Sequence, residues 1–248
     1  MLRKQAINVG VLAAKLLIES GSEIWRVEDT TKRIIKCATN ENPEAFISLT
    51  GVLVSLPRTS YSRFVQVEKR SINMARISKV NQLSRHYTAG KISLDQLERE
   101  LLGVQASGPQ FPIWLQTLAA GMEGALFMYI FTQTYDWRDF PLAFMTSAIG
   151  YWVTLYLSTH VRIRFISEFV GALCIGVCAV IGVRLHLGFN VQNIIIGAVM
   201  PPVPGIPMIT AVRDIFEGNL LSGLERLMES IITLCALAFG IGVVLHYA

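Results

Sequence analysis

The sequence predicts an α-helical integral membrane protein, with a five-helix transmembrane bundle whose fourth helix is broken and a small cytoplasmic α/β domain in front of it. Three observations predict this fold class. Charged residues make up only 16% of the chain, against roughly 25% in soluble domains. The charge is uneven, because 16 of the 22 lysines and arginines lie in residues 1–112. Residues 113–248 hold five apolar runs, each near the ~20 residues that cross a bilayer.

The first part of the N-terminal domain combines helix and strand patterns. Apolar residues at helical spacing predict an amphipathic first helix that ends at Gly21. Ser22 is a suitable N-cap for a second helix that continues to about residue 38. Glu44–Leu56 is β-branched and apolar, and Arg63–Lys69 alternates, so we predict two strands joined by a turn near residues 57–62.

Two further helices complete the N-terminal domain. The apolar spacing over Ile72–Tyr87 predicts a third helix. Ser93 and Gln96 form a capping-box pattern that starts a fourth. A segment rich in glycine and proline at residues 108–112 then separates two predicted domains, 1–112 and 113–248.

The five apolar runs predict membrane spans and an orientation. Basic residues concentrate in the second link, with Arg162 and Arg164, and in the fourth, with Arg213 and Arg226. Because basic links tend to stay in the cytoplasm, the N-terminal domain is predicted to lie inside. The predicted spans are Ile113–Phe131, Phe140–Thr159, Phe165–Val183, Val191–Val212 and Leu227–Tyr247.

Four of the nine prolines fall between Pro201 and Pro207, inside the fourth span. Proline removes a helical hydrogen bond and clashes with the preceding turn, so this density predicts an unwound segment. Unwound backbone at membrane depth lines a cavity or is packed in protein, and broken helices often build transporter sites. A packed proline kink without a ligand is the alternative. Met208–Phe216 can form a half-helix after the break, with its amide groups favouring an anion.

Several polar residues in or near the spans are candidates for chemistry. Glu123 lies near the middle of the first span, where a charge costs about 2.5–3.5 kcal/mol on insertion scales. It is either a coupling or substrate-contacting carboxylate, or a protonated glutamate bonded to a neighbouring helix. Arg213 has a similar ambiguity, because it can bind a carboxylate or pair with Asp214 or Glu217.

A dense group of charges opens the predicted second helix. The simpler interpretation is a solvated face with local ion pairs, and the alternative is a gating contact with the membrane domain. The residues are Glu23, Arg26, Glu28 and Asp29.

Other classes of site find no support in the sequence. The four histidines are scattered and Cys174 and Cys178 have no acidic or histidine companion, so we expect no metal site. No nucleophile elbow, zinc-protease pair or phosphate loop occurs, so we expect neither an enzyme nor a cofactor. No dense basic run with interleaved aromatic residues suggests nucleic acid.

Four segments resemble the threonine/serine exporter family. SGSEIWRVEDT (Ser20–Thr30) resembles its N-terminal motif, and RSINM (Arg70–Met74) with VNQLS (Val80–Ser84) resembles its third-helix region. PGIPMITAVRDIFEG (Pro204–Gly218) resembles its membrane signature, with Thr210 where the family motif is expected to have asparagine. The order and spacing of these segments extend the resemblance over nearly the whole chain.

The resemblance implies an exporter subunit. Full-length members have about twice as many spans, so this chain resembles the larger protein of the split form, which a smaller membrane protein completes. Split members are associated with dicarboxylates such as succinate, and fused members with threonine and serine. We therefore expect a secondary exporter subunit in a bacterial inner membrane, in a hetero- or homo-oligomer. The alternatives are a membrane-tethered enzyme with a catalytic N-terminal domain and a non-transporting scaffold or sensor.

On this interpretation, substrate binding and translocation fall to the segment after the proline break, with coupling at Glu123. The candidate gating residues are Glu23, Arg26, Glu28 and Asp29. The candidate substrate residues are Pro204, Gly205, Pro207, Thr210, Arg213 and Asp214.

Overall fold

The computed structural model describes residues 2–57, 61–108, 111–133, 137–160 and 165–248. Helices dominate these residues, and three short strands form one sheet. The elements in chain order are α1 (Leu2–Glu19), α2 (Ile24–Thr39), β1 (Glu44–Ile47), β2 (Gly51–Ser55), β3 (Ser62–Gln66), α3 (Met74–Thr88), α4 (Leu94–Ala106), α5 (Ile113–Thr132), α6 (Phe140–His160), α7 (Ile166–Arg184), α8 (Val191–Ala198), α9 (Gly205–Phe216) and α10 (Leu220–Tyr247).

The chain forms two compact units. The first consists of Met1–Gln110 and Ile206–Leu227, and the second of Phe111–Gly205 and Met228–Ala248. The sequence-based boundary at residue 112 assigns 206–227 to the membrane domain, whereas the structure groups these residues with the N-terminal part. The division into a cytoplasmic and a transmembrane domain stays a prediction.

Helix α1 is the centre of the first unit. From Ala6 to Ile18 nearly every side chain is buried, so the helix is apolar on more sides than an amphipathic surface helix. At Gly10 an added Cβ would lie 2.7 Å from the Ile35 side chain, so glycine lets α1 and α2 approach closely. The remaining core comes from the inner face of the sheet and from α3 and α4.

The sheet has three antiparallel strands in the order β1-β2-β3, where the sequence predicted two. The predicted strand Glu44–Leu56 was wrong, because a turn interrupts it at residues 48–50. The Ser48 hydroxyl accepts hydrogen bonds from the backbone amides of Thr50 and Gly51, at 3.3 and 3.1 Å. Such local side-chain bonds offer the backbone an alternative to the ladder.

Two of the predicted caps in the first unit have different outcomes. The capping box is confirmed, since Ser93 N donates to Gln96 Oε1 at 2.9 Å and Gln96 N donates to Ser93 Oγ at 3.2 Å. The predicted Ser22 cap was wrong, because the N-cap of α2 is Glu23 and its side chain makes no cap bond. The group that caps α2 instead comes from α9.

Four helices are long and apolar enough to span a membrane among the described residues: α5, α6, α7 and α10. The predicted fourth span consists of two shorter helices, α8 and α9, so the predicted interruption at the prolines is confirmed. Whether these two helices complete a fifth crossing stays a prediction. Helix α10 begins at Leu220, seven residues before the predicted span, because the helix continues through polar residues that hydropathy excludes.

Helix α9 begins three residues before the predicted half-helix. Its first residue is Gly205 and Pro207 is its third. Proline is tolerated in a first turn because the amide there has no intrahelical partner.

Candidate functional site

Three segments of the first unit meet at a cluster of charges. They are the start of α2, the middle of α9 and the first turns of α10. We call this group the carboxylate–arginine cluster, and it consists of Glu23, Arg26, Thr210, Arg213, Asp214 and Arg226.

Asp214 caps helix α2 from a distant part of the chain. Its Oδ1 accepts a hydrogen bond from the backbone amide of Ile24 at 2.9 Å, and the side chain is fully buried. The first amides of a helix lack intrahelical partners, and the helix dipole favours negative charge there. A carboxylate 190 residues away in sequence therefore does what the predicted Ser22 cap does not.

Arg226 joins the three segments. Its Nη2 lies 3.6 Å from Asp214 Oδ2 and donates to the carbonyl oxygen of Ser22 at 3.1 Å. Its Nη1 donates to Thr210 Oγ1 at 3.0 Å and to the carbonyl oxygen of Gly21 at 3.4 Å. The side chain is 8% exposed, so its charge is balanced by protein groups with little help from water.

Glu23 forms the outer part of the cluster. Its carboxylate, 9% exposed, pairs with Arg213 and lies 2.6 Å from Arg26 Nε. The two arginines are about half exposed. Arg213 pairs with Glu23, a partner that the sequence analysis did not name, and it makes no ion pair with Asp214 or Glu217 in the described structure.

Burial dominates the electrostatics of Asp214. Loss of hydration raises the pKa of its carboxyl above the ordinary value, and the nearby Glu23 charge acts in the same direction. The Ile24 amide and the Arg226 guanidinium lower the pKa, but by less. This carboxylate is therefore easier to protonate than an exposed aspartate.

Thr210 links the cluster to the first turn of α9. Its hydroxyl lies 3.0 Å from the carbonyl oxygens of both Ile206 and Pro207 and can donate to either, while it accepts from Arg226. The structure thus brings Thr210, Arg213 and Asp214 together. Pro207 contributes a carbonyl to this network, whereas Pro204 and Gly205 belong to the second unit.

The other predicted gating residues lie outside the cluster. Glu28 pairs with Lys32 and Asp29 pairs with Arg33, each one helical turn further along α2. These side chains are a third to a half exposed. This part of α2 therefore has a solvated face with local ion pairs, which was the simpler of the two interpretations of the sequence. Of the four residues, Glu23 contacts the segment that follows the prolines through Arg213, and Arg26 pairs with Glu23.

Glu123 differs from the cluster carboxylates. It is the eleventh of the twenty residues of α5, and its side chain is exposed. Within the described part of the chain it makes neither a hydrogen bond nor an ion pair. Its neighbour on the same side of the helix, Gln116, accepts a hydrogen bond from the Tyr151 hydroxyl at 3.2 Å.

Sequence reasoning missed Arg226 and the α2 amide as parts of the site. Arg226 was predicted to lie in a link between two spans, because it stands among the polar residues at the start of α10. A search of the described residues for three or more clustered histidine, cysteine, aspartate or glutamate side chains found no candidate metal site.

Several known proteins that are similar to this chain are named as transporter subunits or exporters. The family model "Putative threonine/serine exporter" (ThrE) matches residues 8–248. A Klebsiella aerogenes protein named "Probable succinate transporter subunit YjjP" is 27% identical over 242 residues, which cover 95% of this chain and 90% of the relative. The Escherichia coli K12 protein of the same name is 25% identical over 239 residues, covering 92% and 88%.

A longer relative is also similar. A Mycobacterium tuberculosis protein named "Probable threonine/serine exporter" is 21% identical over 244 residues, which cover 96% of this chain but 45% of the relative. No solved structure matches the chain. Because the family model covers nearly the whole sequence, the chain belongs to the threonine/serine exporter family.

Proposed function

We propose that the chain is one subunit of a secondary active exporter of small polar metabolites in a bacterial inner membrane. The family match over residues 8–248 carries this proposal, together with four helices that can span a membrane. The cargo is a dicarboxylate such as succinate, or threonine and serine. A dicarboxylate is favoured because the chain covers about nine-tenths of the succinate transporter subunits but less than half of the threonine/serine exporter.

The substrate region in this proposal is the segment that starts at the proline break. Pro204, Gly205 and Pro207 shape the backbone there, and Thr210, Arg213 and Asp214 supply polar groups. Two observations support it. The helix is interrupted at residues 199–204, and the polar residues just beyond the interruption belong to a buried ionic network.

The ion pair between Glu23 and Arg213 is the proposed gate. It connects the N-cap of α2 to α9, and Arg26 holds the same carboxylate. Arg213 is half exposed, so a substrate carboxylate can approach it and compete with Glu23. In this proposal the gate opens when the substrate takes over the arginine, and the N-terminal residues face the cytoplasm.

Glu123 is the proposed coupling residue. Among the described residues Glu123 has no hydrogen-bond or ion-pair partner. At the centre of a span such a carboxyl group is stabilised by taking up a proton, since the charged form costs about 2.5–3.5 kcal/mol on insertion scales. Protonation and release at this depth would link export to the proton gradient.

The test is efflux from bacterial cells that express the chain together with the smaller membrane protein that this proposal requires. Cells loaded with labelled succinate, or with labelled threonine, are compared for Arg213→Gln and Arg33→Gln. Arg33 is a matched control, because it is also a half-exposed arginine paired with one carboxylate. We expect efflux of one substrate to fall about ten-fold with Arg213→Gln, which corresponds to about 1.4 kcal/mol, and to stay unchanged with Arg33→Gln.

Two results would contradict the proposal. Equal efflux from Arg213→Gln and wild type would contradict the proposed gate. The exporter function would be contradicted if cells with the chain export neither substrate faster than cells without it. Efflux unchanged by Glu123→Gln would remove the coupling role alone.

A further inference from the structure

Helix α5 has one face that the chain itself covers. Its buried residues include Gly121, next to Phe144 of α6, and Gly124, which lies against Ser147 of α6 and Gly197 of α8. Ser147 Oγ also donates to the α5 carbonyl of Ala120 at 2.8 Å. Glycine and alanine on this face let the helices approach closely, so the contacts of α5 with α6 and α8 are already satisfied.

A second stripe of α5 lies on the flank away from that face. It consists of Gln116, Ala119, Glu123, Leu126 and Ile130, at alternating spacings of three and four residues, and we call it the Glu123 stripe. Ala119 and Glu123 are exposed, and Ile130 is 62% exposed. Gln116 has internal partners, because it accepts from Tyr151 and donates to the carbonyl oxygen of Phe111 at 2.8 Å.

We propose that the Glu123 stripe is the docking surface for a transmembrane helix of a different membrane protein. That helix presents a lysine, arginine, histidine, asparagine or glutamine opposite Glu123. The inference rests on the proposed function in one respect, that the chain is a subunit. It goes beyond it by assigning the face of contact and the chemistry of the partner.

Lipid tails, a second copy of the chain or a helix of another protein can cover the stripe. The charge of Glu123 distinguishes among these three. Lipid tails offer no hydrogen-bond donor, so a lipid-facing Glu123 would stay unsatisfied at mid-span. A second copy related by a two-fold axis would place the same stripe opposite itself and bring one Glu123 against the other, because such interfaces are self-complementary. A helix with a donor or a cation satisfies the carboxyl group, and the small side chain of Ala119 lets it come close.

Photo-crosslinking tests the contact directly. A benzophenone amino acid replaces Ala119 or Ile130 on the stripe, or Trp114 or Leu118 on the opposite exposed flank of α5, which serve as matched controls. The full chain is expressed in the membranes of its own host, irradiated, purified and analysed by mass spectrometry. We expect strong adducts at 119 and 130 and weak ones at 114 and 118, because the crosslinker reacts only with groups within its reach.

The peptide in the adduct is the second readout. It is expected to come from another membrane protein and to carry one of the five named side chains within an apolar span. Three results would overturn the proposal: adducts between two copies of this chain, equal adducts on both flanks, or a partner span without any such side chain.

Substitutions at Glu123 separate the docking surface from the transport role. With the crosslinker at Ile130, Glu123→Leu should reduce the adduct about ten-fold, because the partner's polar group loses its acceptor. Glu123→Gln keeps an acceptor and should retain more of the adduct than Glu123→Leu. An adduct unaffected by Glu123→Leu would overturn the proposal.

Efflux measured in the same cells distinguishes the two proposals. An adduct with the expected partner but no efflux of succinate or threonine would contradict the exporter function and leave the docking surface standing. Efflux without a stripe-specific adduct would support the exporter function and contradict the docking surface.

Discussion

Asp214 and Glu123 are two carboxylates that the sequence singled out for similar reasons, and the structure treats them oppositely. Asp214 is fully buried, caps α2 through the Ile24 amide and lies beside Arg226. Glu123 is exposed in the middle of α5 and has no hydrogen bond or ion pair among the described residues. One carboxylate has hydrogen-bond and ion-pair partners within the chain, and the other has neither in the part of the chain that the structure describes.

This difference between the two carboxylates indicates that Asp214 serves the stability of the fold and that Glu123 does not. A buried, partnered charge is costly to disturb, because removing one member leaves the other without compensation. An exposed charge with no partner contributes little to the fold, so its presence at mid-span calls for a functional reason. Substitutions at the two sites should therefore differ most in what they do to the stability of the isolated chain.

Asp214→Ala should lower the free energy of unfolding by about 3–5 kcal/mol, since Arg226 loses its counter-ion in a buried site and the Ile24 amide loses its acceptor. Chemical unfolding of the purified chain in detergent measures it. Asp29→Ala, on the exposed face of α2, is the matched control and should lower the free energy of unfolding by at most about 1 kcal/mol. Equal losses for the two variants would show that the cap and the Arg226 pair contribute nothing specific.

Glu23→Gln should cost about 1–2 kcal/mol in the same measurement, less than Asp214→Ala because its partners Arg26 and Arg213 are half exposed and screened by water. High salt should reduce the difference from wild type. A loss as large as that of Asp214→Ala would mean that the outer pair is as important to the fold as the inner one.

Thr210→Ala should cost about 1 kcal/mol, because Arg226 Nη1 loses one acceptor but keeps the Gly21 carbonyl. Thr210→Asn, the residue expected from the family motif, keeps an acceptor and should lie closer to wild type. If Thr210→Ala and Thr210→Asn have equal stability, the hydroxyl does not stabilise the fold as an acceptor for Arg226.

Glu123→Leu should change the unfolding free energy of the isolated chain by no more than about 0.5 kcal/mol, as at surface sites without specific contacts. Its effect should appear only in membranes that contain the partner helix. Destabilisation of the isolated chain by as much as Asp214→Ala would show that Glu123 has an internal role and would remove the contrast between the two carboxylates.

Local patterns predicted local structure well. The capping box of α4 depends on two residues three positions apart, so it was visible in the sequence and is present in the structure. The proline interruption depends on the missing amides and rigid rings of adjacent residues, and it too was predicted. The ends of α5, α6 and α7 lie within one residue of the predicted spans.

Errors arose where a distant group competes with a local one. Ser22 has the chemistry of an N-cap, yet Asp214 takes that task from α9. Arg226 has the appearance of a loop residue, yet it lies in a continuous helix and is buried against the carbonyls of Gly21 and Ser22. Neither contact leaves a periodic signal, because its members are about 200 residues apart.

By itself, the sequence determined which segments are apolar enough to span a membrane, where the fourth is interrupted and which residues carry charge. These properties follow from hydropathy, backbone chemistry and spacing over a few turns. The tertiary structure was needed to see that Asp214 and Glu23 have hydrogen-bond or ion-pair partners, whereas Glu123 has neither kind of partner among the described residues. The physical reason is that satisfying a charge depends on which segments meet in space, and a one-dimensional pattern does not contain that information.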